Sequence, residues 1–145
     1  MPEQAERIIA AVDGSPASVD ALRWAVRQAN LTGASLEAIT CWHLPNQYGY
    51  DAYAQDVDWE TIAANTLRGA VQQLGETRLE IKQVVLQGHP ADVLIRASAG
   101  ADLLVVGSRG HGGFTGMLLG SVSEHVTAHA QCPVLVIRHS ATTTE

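Results

Sequence analysis

Residues 107–124 read GSRGHGGFTGMLLGSVSE, and their types and spacing suit the binding of an anion by main-chain amides. Gly107 removes a Cβ where an apolar strand ends, Gly110 permits a tight turn with positive φ, and Gly120 leaves the backbone open to a ligand. Ser121 then brings an amide and a hydroxyl to a helix start, where unpaired N–H groups and the helix dipole favour negative charge. The same residues support a ligand-free account. Ser121 and Glu124 have the spacing of a capping box, and glycine-rich connectors are common. Taken alone, the loop divides evenly between phosphate site and connector.

Other chemistry-bearing residues carry two readings each. Asp13 follows the first apolar run and suits either a turn or cap role or hydrogen bonding to a ribose or base. Arg109, the one Arg or Lys within 107–124, suits a phosphate partner or an exposed loop position with equal weight. His111 is read as solvated rather than catalytic. His125 and His129 lie four residues apart on one helix face. With no third ligand and no HExxH glutamate, they are read as an exposed pair, and no metal site is expected from the protein alone. Trp24, Trp42 and Trp59 are assigned to packing, and Met117–Leu119 to the core or a dimer neighbour.

These residues need elements to position them. The stretch Arg7–Asp13, with its run Ile-Ile-Ala-Ala-Val, predicts a buried first strand. Ser15 is placed as N-cap with Pro16 at the first helical position, and Ala21, Leu22, Ala25, Val26 and Ala29 form the helix's apolar stripe up to Gly33. Leu36–Trp42 predicts strand two, and 43–56 a loop. Val57–Gly75 predicts a helix with Ile62, Thr66, Ala70 and Leu74 on its inner face. Leu79–Leu86 predicts strand three, and Gly88-His89-Pro90 opens a helix to Ala99. Leu103–Val106 predicts strand four, Val122–His129 a fourth helix and Pro133–Arg138 a fifth strand, with residues 137–145 fraying towards the end. Alternating strands and helices predict a Rossmann-like, doubly wound α/β fold, a five-stranded parallel sheet within one domain over 1–145. In the order 3-2-1-4-5, ligands bind beyond the strand ends at the reversal point, which would gather Asp13, Cys41, Gly88 and Gly107.

Composition narrows the function. A net charge of −6 argues against general nucleic-acid binding, and no apolar run is long enough to cross a bilayer. The start MPEQAERIIAAVD lacks the layout of a secretion signal, and Cys41 and Cys132 lack metal-type spacing, so a cytoplasmic protein with reduced thiols is expected. There is no GxxxxGK[ST] loop and no three-glycine dinucleotide fingerprint after strand one.

The chain resembles the universal stress protein family. The ATP-binding branch of that family carries Gly, two residues, Gly, nine residues, then Gly with Ser or Thr, and Gly107, Gly110, Gly120 and Ser121 match this without a gap. Asp13, the Val85–Pro90 stretch and Cys132-Pro133-Val134-Leu135-Val136 also resemble it, so the similarity runs over nearly the whole chain. The resemblance implies an ATP-binding regulatory protein with Mg²⁺ or Mn²⁺ on the triphosphate. It places Ala11, Val12 and Asp13 near adenine and ribose, and the backbone of Cys41 facing adenine. Gly107, Arg109, Gly110, Gly120, Ser121, Val122 and Ser123 would surround ribose and phosphates. It also implies a homodimer through the fifth strand, Pro133–Arg138. Cys41 departs from the small or branched apolar residue common there, a change that a backbone contact tolerates. No residue set commits the chain to catalysis, so any ATP hydrolysis is expected to be slow. A homodimeric interaction protein without nucleotide is the other reading.

Overall fold

The computed structural model of the chain describes residues 6–44, 57–109 and 120–139. Five strands and four helices alternate: β1 (Arg7–Ala11), α1 (Pro16–Thr32), β2 (Ser35–Trp42), α2 (Trp59–Gln72), β3 (Ile81–Gln87), α3 (Pro90–Ala97), β4 (Leu103–Gly107), α4 (Ser121–His129) and β5 (Val134–Ile137). All pairings are parallel, in the expected order β3-β2-β1-β4-β5. β1 therefore has a strand on each side, Ile8 facing Leu36 on β2 and Leu103 on β4. Its Ile8, Ile9 and Ala10 are at most 1% exposed, as helices cover both faces of a parallel sheet.

The two faces have different packing. On one, α1 and α2 cover Ile8, Ala10, Leu36, Ala38 and Val105. Ala17, Ala21, Ala25 and Ala29 are buried at four-residue spacing along α1, and their short side chains let that helix approach the sheet closely. On the other face, Leu94 of α3 and Val126 of α4 pack with Ile9, Ile39, Leu104 and Val106. Truncating one such buried leucine or isoleucine to alanine costs about 2–5 kcal/mol.

Several boundaries differ from the sequence reading for local reasons. α2 begins at Trp59 because Asp58 caps it, its carboxylate accepting from the Thr61 amide at 3.0 Å and the Thr61 hydroxyl at 2.7 Å. Its buried face is Ala63, Leu67 and Ala70, whereas Ile62 is 48% exposed. The expected face of Ile62, Thr66, Ala70 and Leu74 shares only Ala70 with the buried one. It is displaced by one residue at Ile62 and Thr66, Leu74 lies beyond the helix end, and Leu67, fully buried, sets the phase. β1 pairing stops at Ala11, although the Val12 amide still donates to Ile39 O at 2.9 Å. β3 is shifted, running from Ile81 to Gln87, and α3 ends at Ala97. Ile137 belongs to β5, and His139 is held to α1 by Asp20 at 2.6 Å, so the order extends into the segment expected to fray. No described helix is long and apolar enough to cross a membrane.

Candidate functional site

The order of strands reverses between β1 and β4: the chain after β1 crosses over to β2 on one side, while β4 joins on the other. Their carboxyl ends carry Ala11–Asp13 and Gly107–Arg109, with Cys41 and Trp42 at the end of β2 and Gly88 after β3. This is the place where open parallel sheets bind ligands.

The turn after β1 is held by its own side chains. Asp13 Oδ1 accepts from the Ser15 amide at 2.9 Å and from the Ser15 hydroxyl at 2.5 Å. Ser15 caps α1, its hydroxyl accepting from the Ser18 amide at 3.2 Å, and Gly14 supplies the positive φ of 86°. Ser18 Oγ accepts in turn from the Asp13 amide at 3.2 Å. The turn role of Asp13 is thus present, yet the residue is exposed and Oδ2 has no partner among the described residues. One oxygen, Oδ1, shapes the turn. Val12 is buried, its side chain in the core under α1, so only its backbone is at the strand end. Its carbonyl accepts from the buried Thr40 hydroxyl at 2.9 Å, which ties the ends of β1 and β2 together. Ala11 and Cys41 share the opposite face of the sheet. Burial pushes the Cys41 thiol up to about 11, so it stays neutral and unreactive at physiological pH.

Gly107 has a sharper requirement than the sequence indicated. A Cβ there would lie 2.8 Å from the Ala17 carbonyl carbon and 2.9 Å from both its oxygen and its Cβ. The missing side chain admits the first turn of α1, bringing the Asp13 turn against the end of β4. Ser108 follows, buried, and links three elements. Its amide donates to Ile137 O at 2.8 Å, and its carbonyl accepts from the Gly120 amide at 2.7 Å. Arg109 is exposed. Gly110 and His111 lie outside the described residues, as do Met117–Leu119 and the three tyrosines of the 43–56 segment.

At α4 the capping-box expectation fails. Gly120 is the N-cap, extended at φ −74° and ψ 169°, and no side chain among the described residues caps the helix; Ser121 is already its first residue. The first amide turned back within the helix is that of Glu124, which donates to Gly120 O at 2.9 Å. The Ser123 hydroxyl donates to Gly107 O at 2.5 Å, stitching α4 to β4. The amides of Ser121, Val122 and Ser123 have no partner among the described residues. α1 and α2 are capped by Ser15 and Asp58, whereas α3, like α4, has no side-chain cap among the described residues. A helix first turn without a side-chain cap leaves N–H groups of the kind that favour negative charge.

Sequence reasoning missed Thr40 and Ser108, because a single buried hydroxyl residue in an apolar run has no spacing to announce it. It also missed the rim contact of His43 with His89, whose rings stack at 4.6 Å beside the Gly88 amide bonded to Trp42 O at 2.7 Å.

The fold defines a doubly wound α/β protein, a class whose members bind small ligands beyond their strand ends. Over residues 4–138 the sequence matches the universal stress protein family, and the chain belongs to it. It is 38% identical over 139 residues to the universal stress protein Mb2028c of Mycobacterium bovis, covering 92% of this chain and 45% of that protein. Against the universal stress protein Rv2623 of Mycobacterium tuberculosis it is 38% identical over 144 residues, covering 97% and 48% respectively. The chain therefore spans about half the length of these relatives. Among solved structures, the universal stress protein UspA from Lactobacillus plantarum superposes with a TM-score of 0.80 at 25% identity, covering 94% of this chain and all of that one. A universal stress protein solved in complex with cAMP superposes with a TM-score of 0.69 at 27% identity, covering 95% of this chain and all of that one.

Proposed function

We propose that the protein binds an adenine nucleotide, ATP in the first place, at the β1–β4 switch point and acts as a nucleotide-dependent regulatory protein of the stress response. The observation that carries this is the uncapped first turn of α4, with the Ser121, Val122 and Ser123 amides next to Gly120. The likeness to a relative solved with cAMP supports the adenine nucleotide class. In this reading phosphates lie along Gly107, Arg109, Gly110 and Gly120–Ser123, with Mg²⁺ or Mn²⁺ carried by the triphosphate. Asp13 Oδ2 accepts from the ribose, and the backbone of Ala11, Val12 and Cys41 borders the base. No described group commits the site to hydrolysis, and turnover well below about 1 s⁻¹ is expected.

We further propose that two copies pair through β5. Its residues are all half-buried, and no strand lies outside it among the described residues. A flat apolar edge of this kind favours association.

The test is a thermal titration with Mg-ATP, AMP and cAMP, combined with chromatography of the supernatant from freshly purified, denatured protein. A melting temperature that rises with ATP and is unmoved in Gly120→Val is expected. Gly120 has ordinary extended backbone angles, so the main chain itself tolerates valine, and on this reading the added branches obstruct the phosphates. No nucleotide released and no response to any of the three would reject the reading.

A further inference from the structure

We propose that the exposed face of α4 carries a binding site for a late first-row divalent transition ion, formed by His125 and His129. The two imidazoles lie one helical turn apart, with ring centroids 4.7 Å apart and planes tilted by 50°. Both residues are exposed, and neither ring has a hydrogen-bond partner among the described residues. Among the described residues, nothing therefore competes with an ion for their nitrogens.

The backbone provides the chelate. Side chains four residues apart on a helix stand one above the other. Rings already in contact need only small torsional adjustment to place one nitrogen each at about 2.0–2.1 Å from a shared ion. Val126, fully buried, and Ser123, bonded to Gly107 O, hold α4 in place from its other side, so the two histidines are presented on an anchored helix. His129 is in the last turn, where the helix dipole favours positive charge. No group of three His, Cys, Asp or Glu side chains among the described residues could enclose a metal, so water completes the coordination. Two imidazoles with open positions select Zn²⁺, Ni²⁺ and Cu²⁺ over Mg²⁺ and Ca²⁺, which require oxygen ligands. The ion thus differs in kind from one carried by a triphosphate, and the site is separate from the nucleotide reading.

Zn²⁺ is the probe, since it does not oxidise the two thiols, and the full chain is used without nucleotide. Binding that favours the folded state should raise the melting temperature saturably, by about 5–10 °C at a hundredfold excess over Kd. Imidazole NMR signals of His125 and His129 should shift together in the unmodified protein. His125→Ala and His129→Ala should each remove the thermal shift. His89→Ala, which breaks the other imidazole pair, and Cys132→Ser, which removes the nearest thiol in sequence, should retain it. No thermal or NMR response at millimolar Zn²⁺ would overturn the proposal. So would a response that survives both α4 substitutions, or one that disappears with His89→Ala or Cys132→Ser.

Discussion

At Gly107 the absence of one carbon decides how two elements meet. Two of the three atoms that a Cβ would strike belong to the Ala17 backbone, at 2.8 and 2.9 Å, so no side-chain rearrangement relieves the clash. Gly107→Ala is expected to cost about 1–3 kcal/mol in urea unfolding. Adding Ala17→Gly should recover little of it, because the backbone contacts persist. Cys41 gives a pH prediction. Its thiol ionises near 9.0 when unfolded and about 11 when folded, because burial penalises the thiolate. Below pH 9 both states are protonated, and the thiol does not affect the balance. Between pH 9 and 11 the unfolded chain loses its proton first, so stability falls with rising pH, by about 2 kcal/mol in all. Urea midpoints at pH 8 and pH 11 should differ less in Cys41→Ala than in the parent protein. The sequence showed that Gly107 ends a strand; it did not show that helix α1 fills the space, since Ala17 is ninety residues away.

At the scale of elements, the start of α1 does more than begin a helix. Ser15 caps its first turn and also holds Asp13 in place. Ser15→Ala should lower stability by about 1–2 kcal/mol. If Asp13 meets the ribose, it should also weaken ATP binding by freeing that carboxylate. Isothermal titration beside urea unfolding separates the two effects. Ser15 and Pro16 were legible as cap and first residue because those preferences are local. The start of α4 was not. Ser121 and Glu124 have capping-box spacing, but the Gly120 amide is drawn to Ser108 O, and this places Ser121 inside the helix. A tertiary hydrogen bond overrode a local motif, and it left the first-turn amides uncapped.

For the molecule as a whole, the sheet has two outer strands, β3 and β5. The β4–β5 bonds from Leu104 N to Pro133 O and from Ser108 N to Ile137 O turn the odd-numbered main-chain groups of β5 inwards. Residues in a parallel strand alternate, so the N–H groups of Val134 and Val136 face the open edge. Val136→Pro removes an outward donor while sparing the β4 ladder. If the dimer forms on this edge, sedimentation at micromolar concentration should give a two-chain mass for the parent and a single-chain mass for the variant. At the start of β1, within the middle of the sheet, Arg7 pairs with Glu37 of β2 at 3.0 Å. The hydrogen bond from Arg7 holds the Glu37 carboxyl below its ordinary range. This pair favours folding above that range and loses its effect as acid protonates Glu37. Glu37→Gln should therefore flatten the acid side of the stability profile.

What the chain determined by itself was periodic or local: five apolar runs, the apolar stripe of α1, the Ser15 cap, and a glycine spacing that marks a family. Those properties depend on neighbours within a few residues, and they sufficed for the parallel sheet and its strand order by resemblance to a known pattern. The phase of α2, the filling of the space at Gly107, the Ser108 link and the uncapped first turn of α4 were decided only by tertiary structure. Each rests on contact between residues far apart in sequence, and such contacts are chosen by packing and hydrogen-bond satisfaction across the whole core.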